Sequence, residues 1–492
     1  MGHFLDELRT TFSRQAARPA IVHRDATYAY ADLERRADNC AAWLQSLGVG
    51  RGDRVLLCTA DKLPFLAAHL GAMLAGAVSL PVNPKFTREE LRYFLADSGA
   101  RVAIVGDEQR AVVEPLQPDL PDLAAIVHAS EAWTAPYASF TESSIGDDDP
   151  CLMLYSSGTT GRPKGILHTP ANLSSSLHAL GECWRFSPDD VLVNLLPLFH
   201  IHGLSFASQL SLLTGSCMLI EDSFHPRRSI EAIGRGTVFF GIPAFYHAFL
   251  ERPEFHAAAK SWRHVRLFTC GSAPMSPDTL GELETLLERP VINRYGMTES
   301  HVITSLPLAG PWPRGSVGLP LSGVEVRVVD DKQSEVAADQ IGTVMLRGPN
   351  LFHSYWNKEA ATRDAFATGW FDTGDLGRRD AQGFLTLVGR KNDLIITNGF
   401  NVYPQVVERV IAECPGVKEC AVLGLPDRRR GERVAAAIVR GDAALDEAAL
   451  RDFLKDRLVD YQRPAVVAFV DALPKNAMGK LLRHQLAEQL RS

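Results

Sequence analysis

Apolar positions along the first 110 residues alternate between two periods. From 21 to 30 they fall as in a strand, and over 31–47 they recur at 33, 37, 41, 44 and 47, the spacing of one helix face. Short apolar runs at 54–59, 77–82 and 101–105 alternate with helical patterns at 64–75 and 87–97. Such alternation predicts parallel α/β layers. The stretch 116–149, rich in Pro, Ala and acids, is expected to link this unit to a second one opening at Cys151. There CLMLY (151–155) has the length of a buried strand. Turn chemistry follows through Gly165, after which Thr169 and Pro170 read as the N-cap and first-turn proline of a helix running to Trp184.

The second unit continues with VLVNLLPLFHIHG (191–203), a strand expected to end at Pro197 and to deliver His200 and His202 to a loop. Strands are expected at 216–221, 237–241 and 265–270. The runs 265–274 (VRLFTCGSAP) and 291–300 (VINRYGMTES) end in loops of small residues, where α/β sheets bind ligands. From about 315 the strands become short and alternating, as at 324–329 and 342–346, which predicts a β-rich subdomain. The charged break GRKND (389–393) precedes roughly 100 residues with their own alternation, the size of a small domain. The expected architecture is an α/β protein: a large N-terminal domain (1–391) of stacked α/β subdomains plus a β-rich subdomain, and a small α+β C-terminal domain (392–492).

Composition narrows the partners. The chain has 492 residues, 46% hydrophobic and 22% charged, enough for more than one core. A formal net charge of −7 argues against nucleic acid as a main partner. The 8 cysteines are scattered, and Cys414 and Cys420 lack zinc-ligand or redox spacing, so reduced thiols and a cytoplasmic location are expected. MGHFLDELRTTF has early acids and no apolar signal core. The uncharged stretch 63–82 has the length of a membrane span, but Pro64, His69, Gly71, Gly76 and Pro81 suit a buried helix and strand. No membrane span is expected.

Chemistry concentrates in YSSGTTGRPKG (155–165). Glycines at 158, 161 and 165 let backbone N–H groups approach an anion, Ser156, Ser157, Thr159 and Thr160 supply hydroxyls, and Lys164 adds a charge. These groups suit nucleotide phosphates. The ATPase P-loop, GxxxxGK followed by Ser or Thr, does not fit, because Gly165 follows Lys164.

Several stretches match one family in order along nearly the whole chain. YSSGTTGRPKG, LPLFHIHG, RYGMTES, GWFDTGDLG (369–377), GRKNDLIITNGFNVYP (389–404) and PKNAMGK (474–480) resemble the phosphate, acyl-pocket, adenine and metal, ribose, hinge and C-terminal lysine motifs of the adenylate-forming superfamily of acyl-CoA synthetases, luciferases and adenylation domains. The resemblance implies that a carboxylate and ATP give an acyl-adenylate and pyrophosphate, after which coenzyme A gives the thioester and AMP. It implies a mobile C-terminal domain in which Lys480 bridges the attacking carboxylate and the α-phosphate. His200 belongs to the acyl-pocket motif, Glu299 is the Mg²⁺ ligand, and Thr298 contacts the α-phosphate. Gly271, Ser272, Ala273 and Tyr295 meet the nucleotide, with Tyr295 stacked on adenine. Asp375 accepts from the ribose hydroxyls and Arg390 donates to the same sugar. Thr159, Thr160 and Lys164 hold the departing pyrophosphate, and Gly399 and Phe400 reach the CoA channel with Asn392 near the pivot.

The acid is read from Arg294 and His202. A buried guanidinium is costly unless an anion pairs with it, and the second carboxylate of a short dicarboxylic acid supplies one bidentately. Segments such as LPLFHIHGLSFA, RLFTCGSAPM and INRYGMTES resemble malonyl-CoA synthetases, which implies malonate or methylmalonate gripped by Arg294 and His202. Asn293, where that subgroup often has Glu, and Ile201 depart from its pattern. The alternatives are a medium-chain or aromatic acyl-CoA synthetase in which Arg294 pairs internally, for instance with Glu299, and an adenylation protein that loads a carrier protein.

Overall fold

The computed structural model describes residues 4–136, 141, 145–156, 163–475 and 481–490. Among these, two large sheets are joined back to back by helices. A nine-stranded sheet runs in the order 319–320, 301–305, 291–297, 267–270, 238–241, 191–194, 217–220, 19–23 and 26–29. Its strands from 291–297 through 19–23 are parallel to their neighbours. A seven-stranded sheet runs 354–355, 164–168, 152–156, 78–81, 54–58, 102–105 and 125–128. Helix Tyr30–Ser46 packs on the first sheet and helix Lys62–Leu74 on the second, and the two helices pack on each other. One hydrophobic core therefore spans both sheets.

The apolar stretch 63–82 is a helix, Lys62–Leu74, buried on nearly every side, followed by the parallel strand Val78–Pro81. No helix among the described residues is long and apolar enough to cross a membrane. Helix Pro170–Cys183 is capped as expected, with the Thr169 hydroxyl accepting from the Asn172 N–H.

Three expectations are corrected. The stretch 116–149 is not merely a linker: Ala125–His128 pairs in parallel with Val102–Val105, and helix Ala129–Thr134 follows. Prolines at 115, 118 and 121 conceal a strand of only four residues. The strand at 191–197 ends at Asn194, and His202–Gln209 continues as a π-helix. Turn chemistry does not extend through 155–165 either, since Leu152–Ser156 and Lys164–His168 are antiparallel partners, with Tyr155 opposite Gly165 and Ser156 opposite Lys164. Lys164 opens a strand, and the intervening loop falls outside the described residues.

An antiparallel sheet, 325–329, 342–347, 371–379 and 385–390, forms the β-rich unit. Beyond it, strands 400–402, 395–397, 431–440, 417–427 and 466–469 build a further sheet. Its apolar clusters draw only on residues 395–490 and are separate from those that precede them. The hairpin 395–402 turns through Asn398 at φ 50° and Gly399 at φ 80°, the left-handed pair that a tight two-residue hairpin requires. Phe400 beyond it is half exposed and stacks on Tyr461, with ring centroids 4.6 Å apart.

Asp190 ties the N-terminal ends of three parallel strands together. Its carboxylate accepts from Arg266 Nε and Nη2, both at 2.7 Å, from the Thr237 hydroxyl at 3.0 Å and from the Ser187 N–H at 2.9 Å. Burial pushes the Asp190 carboxyl up, but these donors outweigh it and hold it below its ordinary value. Asp190→Ala leaves a half-buried guanidinium without its partner. Urea unfolding is expected to show a loss of about 2–3 kcal/mol, while substrate KM values stay unchanged because the functional loops leave the opposite strand ends.

Candidate active site

Strand Val291–Met297 turns through Thr298–Ser300 into strand His301–Ser305, and most of the site is built around that hairpin. All three carbonyls of the turn accept hydrogen bonds from outside it. His168 Nε2 donates to Thr298 O at 2.8 Å, Phe352 N to Glu299 O at 2.7 Å, and Asn350 Nδ2 to Ser300 O at 2.6 Å. The turn is thus fixed from residues 130 positions before it and 50 positions after it. It carries the two side chains for which sequence predicted phosphate and metal roles.

Glu299 shares this region with Lys164. The Tyr355 hydroxyl lies 3.5 Å from Glu299 Oε1, and Lys164 Nζ sits 4.9 Å from the centre of the Tyr355 ring. Burial pushes the Glu299 carboxyl above its ordinary value, opposed in part by Arg390. A largely buried carboxylate whose charge is poorly compensated fits a hard divalent cation shared with phosphates, the usual mode for Mg²⁺. Tyr355 was not anticipated. Nothing in SYWN marks it, because its importance arises from strand Ser354–Tyr355 pairing with Lys164–His168.

Tyr295, Asp375 and Arg390 form one cluster. The Tyr295 hydroxyl donates to Asp375 Oδ2, and Arg390 Nε lies 2.7 Å from Asp375 Oδ1. Asp375 is buried, and strand register sets it directly opposite Arg390. Both residues expected at the ribose are therefore together, and each carboxylate oxygen is already engaged by a protein donor. Arg390 is held above its ordinary pKa: burial lowers it, but Asp375 and neighbouring acids raise it further.

A second cluster gathers around Phe206 of the π-helix. Arg294 Cζ lies 5.0 Å from the Phe206 ring centre, and the His202 ring lies 5.8 Å from it. Arg294 is 4% exposed, and its Nε and Nη2 have no hydrogen-bond partner among the described residues. The internal ion pair with Glu299 does not form. Burial pulls Arg294 down to about 10, so it remains a cation at neutral pH. His202 is fully buried, and its Nδ1 meets Ser272 Oγ at 3.1 Å while Nε2 has no partner among the described residues. Burial, with Arg294 and His200 adding to it, pulls His202 well below its ordinary value and keeps it neutral. His200 accepts the His202 N–H at 3.2 Å. Gly271 makes room for Arg294, since a Cβ there would stand 2.5 Å from Arg294 Cζ. Ser272 adopts φ 71°, and Ala273 is partly buried beside it.

Gly399 and Phe400 lie on the C-terminal hairpin, apart from these clusters in the chain. Thr159, Thr160 and Lys480 fall outside the described residues.

The AMP-binding enzyme family pattern matches residues 8–356, and that of the AMP-binding enzyme C-terminal domain matches 406–480. The chain belongs to the AMP-binding enzyme family. It is 34% identical to the long-chain-fatty-acid–CoA ligase FadD13 of Mycobacterium tuberculosis, over 94% of this chain and 93% of that one. It is 33% identical to a feruloyl-CoA synthase of Amycolatopsis, over 95% of each. Among solved structures, ATP-bound MatB from Rhodopseudomonas palustris superposes with a TM-score of 0.93 at 36% identity, covering 99% of this chain and 98% of that one. The same protein without ATP gives 0.82. The chain is accordingly an ATP-dependent acid–CoA ligase that works through an acyl-adenylate, with Mg²⁺ and coenzyme A.

Gly271→Ala is expected to displace the Arg294 guanidinium without disturbing the fold. The KM for the acid should rise about tenfold, equivalent to about 1.4 kcal/mol of binding, with the melting temperature nearly unchanged. An unaltered acid KM would show that the close approach of Gly271 and Arg294 has no bearing on the acid.

Proposed function

We propose that this ligase activates a short dicarboxylic acid, malonate or methylmalonate, as its acyl-adenylate and passes it to coenzyme A. The observation that supports this reading is the Arg294 guanidinium, buried with two nitrogens that have no partner among the described residues, beside neutral His202. Leaving a cation in a low-dielectric site costs several kcal/mol unless an anion joins it. A distal carboxylate offers the planar, bidentate match that a guanidinium accepts. A monocarboxylic acyl chain would instead surround the charge with methylenes. FadD13 and the feruloyl-CoA synthase act on other acids by their names, so Arg294 carries the argument.

In the first step the acid's reacting carboxylate attacks the α-phosphorus of ATP, and pyrophosphate leaves. Arg294 and His202 hold the far carboxylate, which orients the near one; orientation of this kind is a large part of catalysis in phosphoryl and nucleotidyl transfer. We assign Thr298 to the α-phosphate, Glu299 to Mg²⁺, whose charge offsets that of the phosphates, and Lys164 with Thr159 and Thr160 to pyrophosphate. Asp375 and Arg390 take the ribose, with Tyr295, Gly271, Ser272 and Ala273 about the base. Lys480, on the segment after the hinge, supplies a compact cation to the attacking carboxylate and α-phosphate. In the second step the thiol of coenzyme A attacks the acyl carbonyl and AMP departs. Domain 392–492 turns about the 391/392 boundary to remove Lys480 and bring Gly399 and Phe400 to the thiol channel, while His200 borders the acyl site.

A panel of acids assayed for AMP release with and without coenzyme A tests the reading directly. Malonate or methylmalonate is expected to give the highest kcat/KM; preference for a fatty or aryl acid would overturn it. AMP release that needs a carrier protein instead of coenzyme A would overturn the acceptor. Arg294→Ala is expected to lower kcat/KM for malonate by about a hundredfold or more and to change butyrate by only a few-fold. Lys480→Ala is expected to abolish pyrophosphate exchange while sparing thioester formation from supplied acyl-adenylate; normal exchange in that variant would remove Lys480 from the first step.

A further inference from the structure

The hairpin turn that presents Thr298 and Glu299 is backed by two buried imidazoles for which the reaction has no use. His168 Nδ1 and His301 Nε2 lie 3.2 Å apart, and His168 Nε2 reaches Thr298 O at 2.8 Å. Both side chains are fully buried. The rings meet edge to face with centroids 4.5 Å apart, and His301 lies 6.0 Å from Phe206, the ring that also borders Arg294.

Hydrogen positions follow from the partners. A backbone carbonyl only accepts, so His168 carries its proton on Nε2 and offers a lone pair at Nδ1. His301 therefore donates from Nε2, and being neutral it bears its lone pair on Nδ1. That atom indeed has no partner among the described residues. Burial pulls His168 down to about 4 and His301 well below its ordinary value, in keeping with two neutral rings.

His301 also occupies an unusual backbone position. It is the residue after a three-residue hairpin turn and has φ 57°, a left-handed conformation uncommon outside Gly that Asn, Asp and His adopt more readily than most. The only hydrogen bond of its imidazole among the described residues goes to the ring that anchors Thr298.

We propose that His168 and His301 form a positioning pair: His301 locks the tautomer and rotation of His168, which in turn holds the Thr298 carbonyl and so aims Thr298 and Glu299 at the nucleotide phosphates and their cation. The inference rests on the adenylation role proposed for that turn. Neither imidazole touches substrate. Removing the His301 N–H frees the His168 ring to rotate or exchange tautomers, and the turn loses the donor at its first carbonyl while the Asn350 and Phe352 donors remain.

The test separates positioning from folding. His301→Phe keeps a ring against Phe206 and His168 but cannot donate, whereas His301→Gln keeps a donor N–H near the Nε2 position. His301→Phe is expected to lower kcat for pyrophosphate exchange about thirtyfold and to raise half-saturating Mg²⁺ several-fold. Conversion of supplied acyl-adenylate with coenzyme A should stay within about twofold, and His301→Gln should recover most of the loss. His168→Leu is expected to match His301→Phe, and the double variant to be no worse than His168→Leu alone, because the two act as one unit. Equal losses in both half-reactions, no rescue by Gln, or losses that multiply in the double variant would overturn the pair. Absence of exchange in the unsubstituted chain with every acid would instead overturn the ligase reading beneath it, and this inference with it.

Discussion

Two opposite charges on one hairpin, Arg294 buried and Glu299 half-buried, are kept from each other, and that is the constraint on which the site depends. Arg294 and Glu299 are five residues apart on the 291–305 hairpin. Neither satisfies the other, although an ion pair in a low-dielectric interior would relieve both. Strand register prevents it. Arg294 stands opposite Ser305 within the ladder, whereas Glu299 is at the tip of the turn. The backbone hydrogen bonds from His168, Asn350 and Phe352 then stop the tip from folding back. Under the proposed function, this arrangement holds a cation ready for an acid and a carboxylate ready for a metal, each stabilised when its ligand arrives.

That separation also orders the surrounding parts. Gly271 has no side chain, so Arg294 can lie against the backbone there, and Ser272 in the left-handed region directs its hydroxyl to His202. On the other side, Tyr355 and Lys164 border Glu299, and Asp375 is joined to Arg390 and Tyr295 in a linked cluster. Phe206 lies between the two halves, with Arg294 near one side of it and His301 near another.

Much of this was legible in the sequence, for physical reasons that also mark where reading stops. The alternating strand and helix patterns, the capped helix at Thr169 and the change to short strands after 315 are local consequences of side-chain period and turn chemistry. The grouped motifs could be read because glycines, hydroxyls and charges near each other in the chain remain near each other in a loop. The hairpin at 152–168 was not legible as such, since a strand followed by glycines looks alike whether the next strand returns beside it or crosses over. Ala125–His128 was hidden by prolines that end just before it. Tyr355, His168 and Asn350 left no signal at all, because each acts on a turn 50 or more residues away.

The π-helix at His202–Gln209 shows how packing overrides the local pattern at a functional position. Its sequence, HGLSFASQ, has ordinary helical spacing, yet the chain takes the wider turn. Gly203 explains part of this, because a Cβ there would lie 2.3 Å from the Pro197 carbonyl oxygen, so only glycine lets the helix start so close to the preceding loop. Asn194 supplies the rest: its side-chain amide donates to Gly203 O at 3.3 Å and to Ser208 Oγ at 3.0 Å, spanning the widened turn. Gln209 at the far end donates to His69 Nε2 at 2.9 Å, fastening the helix to the buried layer between the sheets. π-Helical turns are rare and cluster at functional sites. Here the wider turn sets His202 and Phe206 on the same side as Arg294, so the geometry around the guanidinium is paid for by core residues that never meet the substrate.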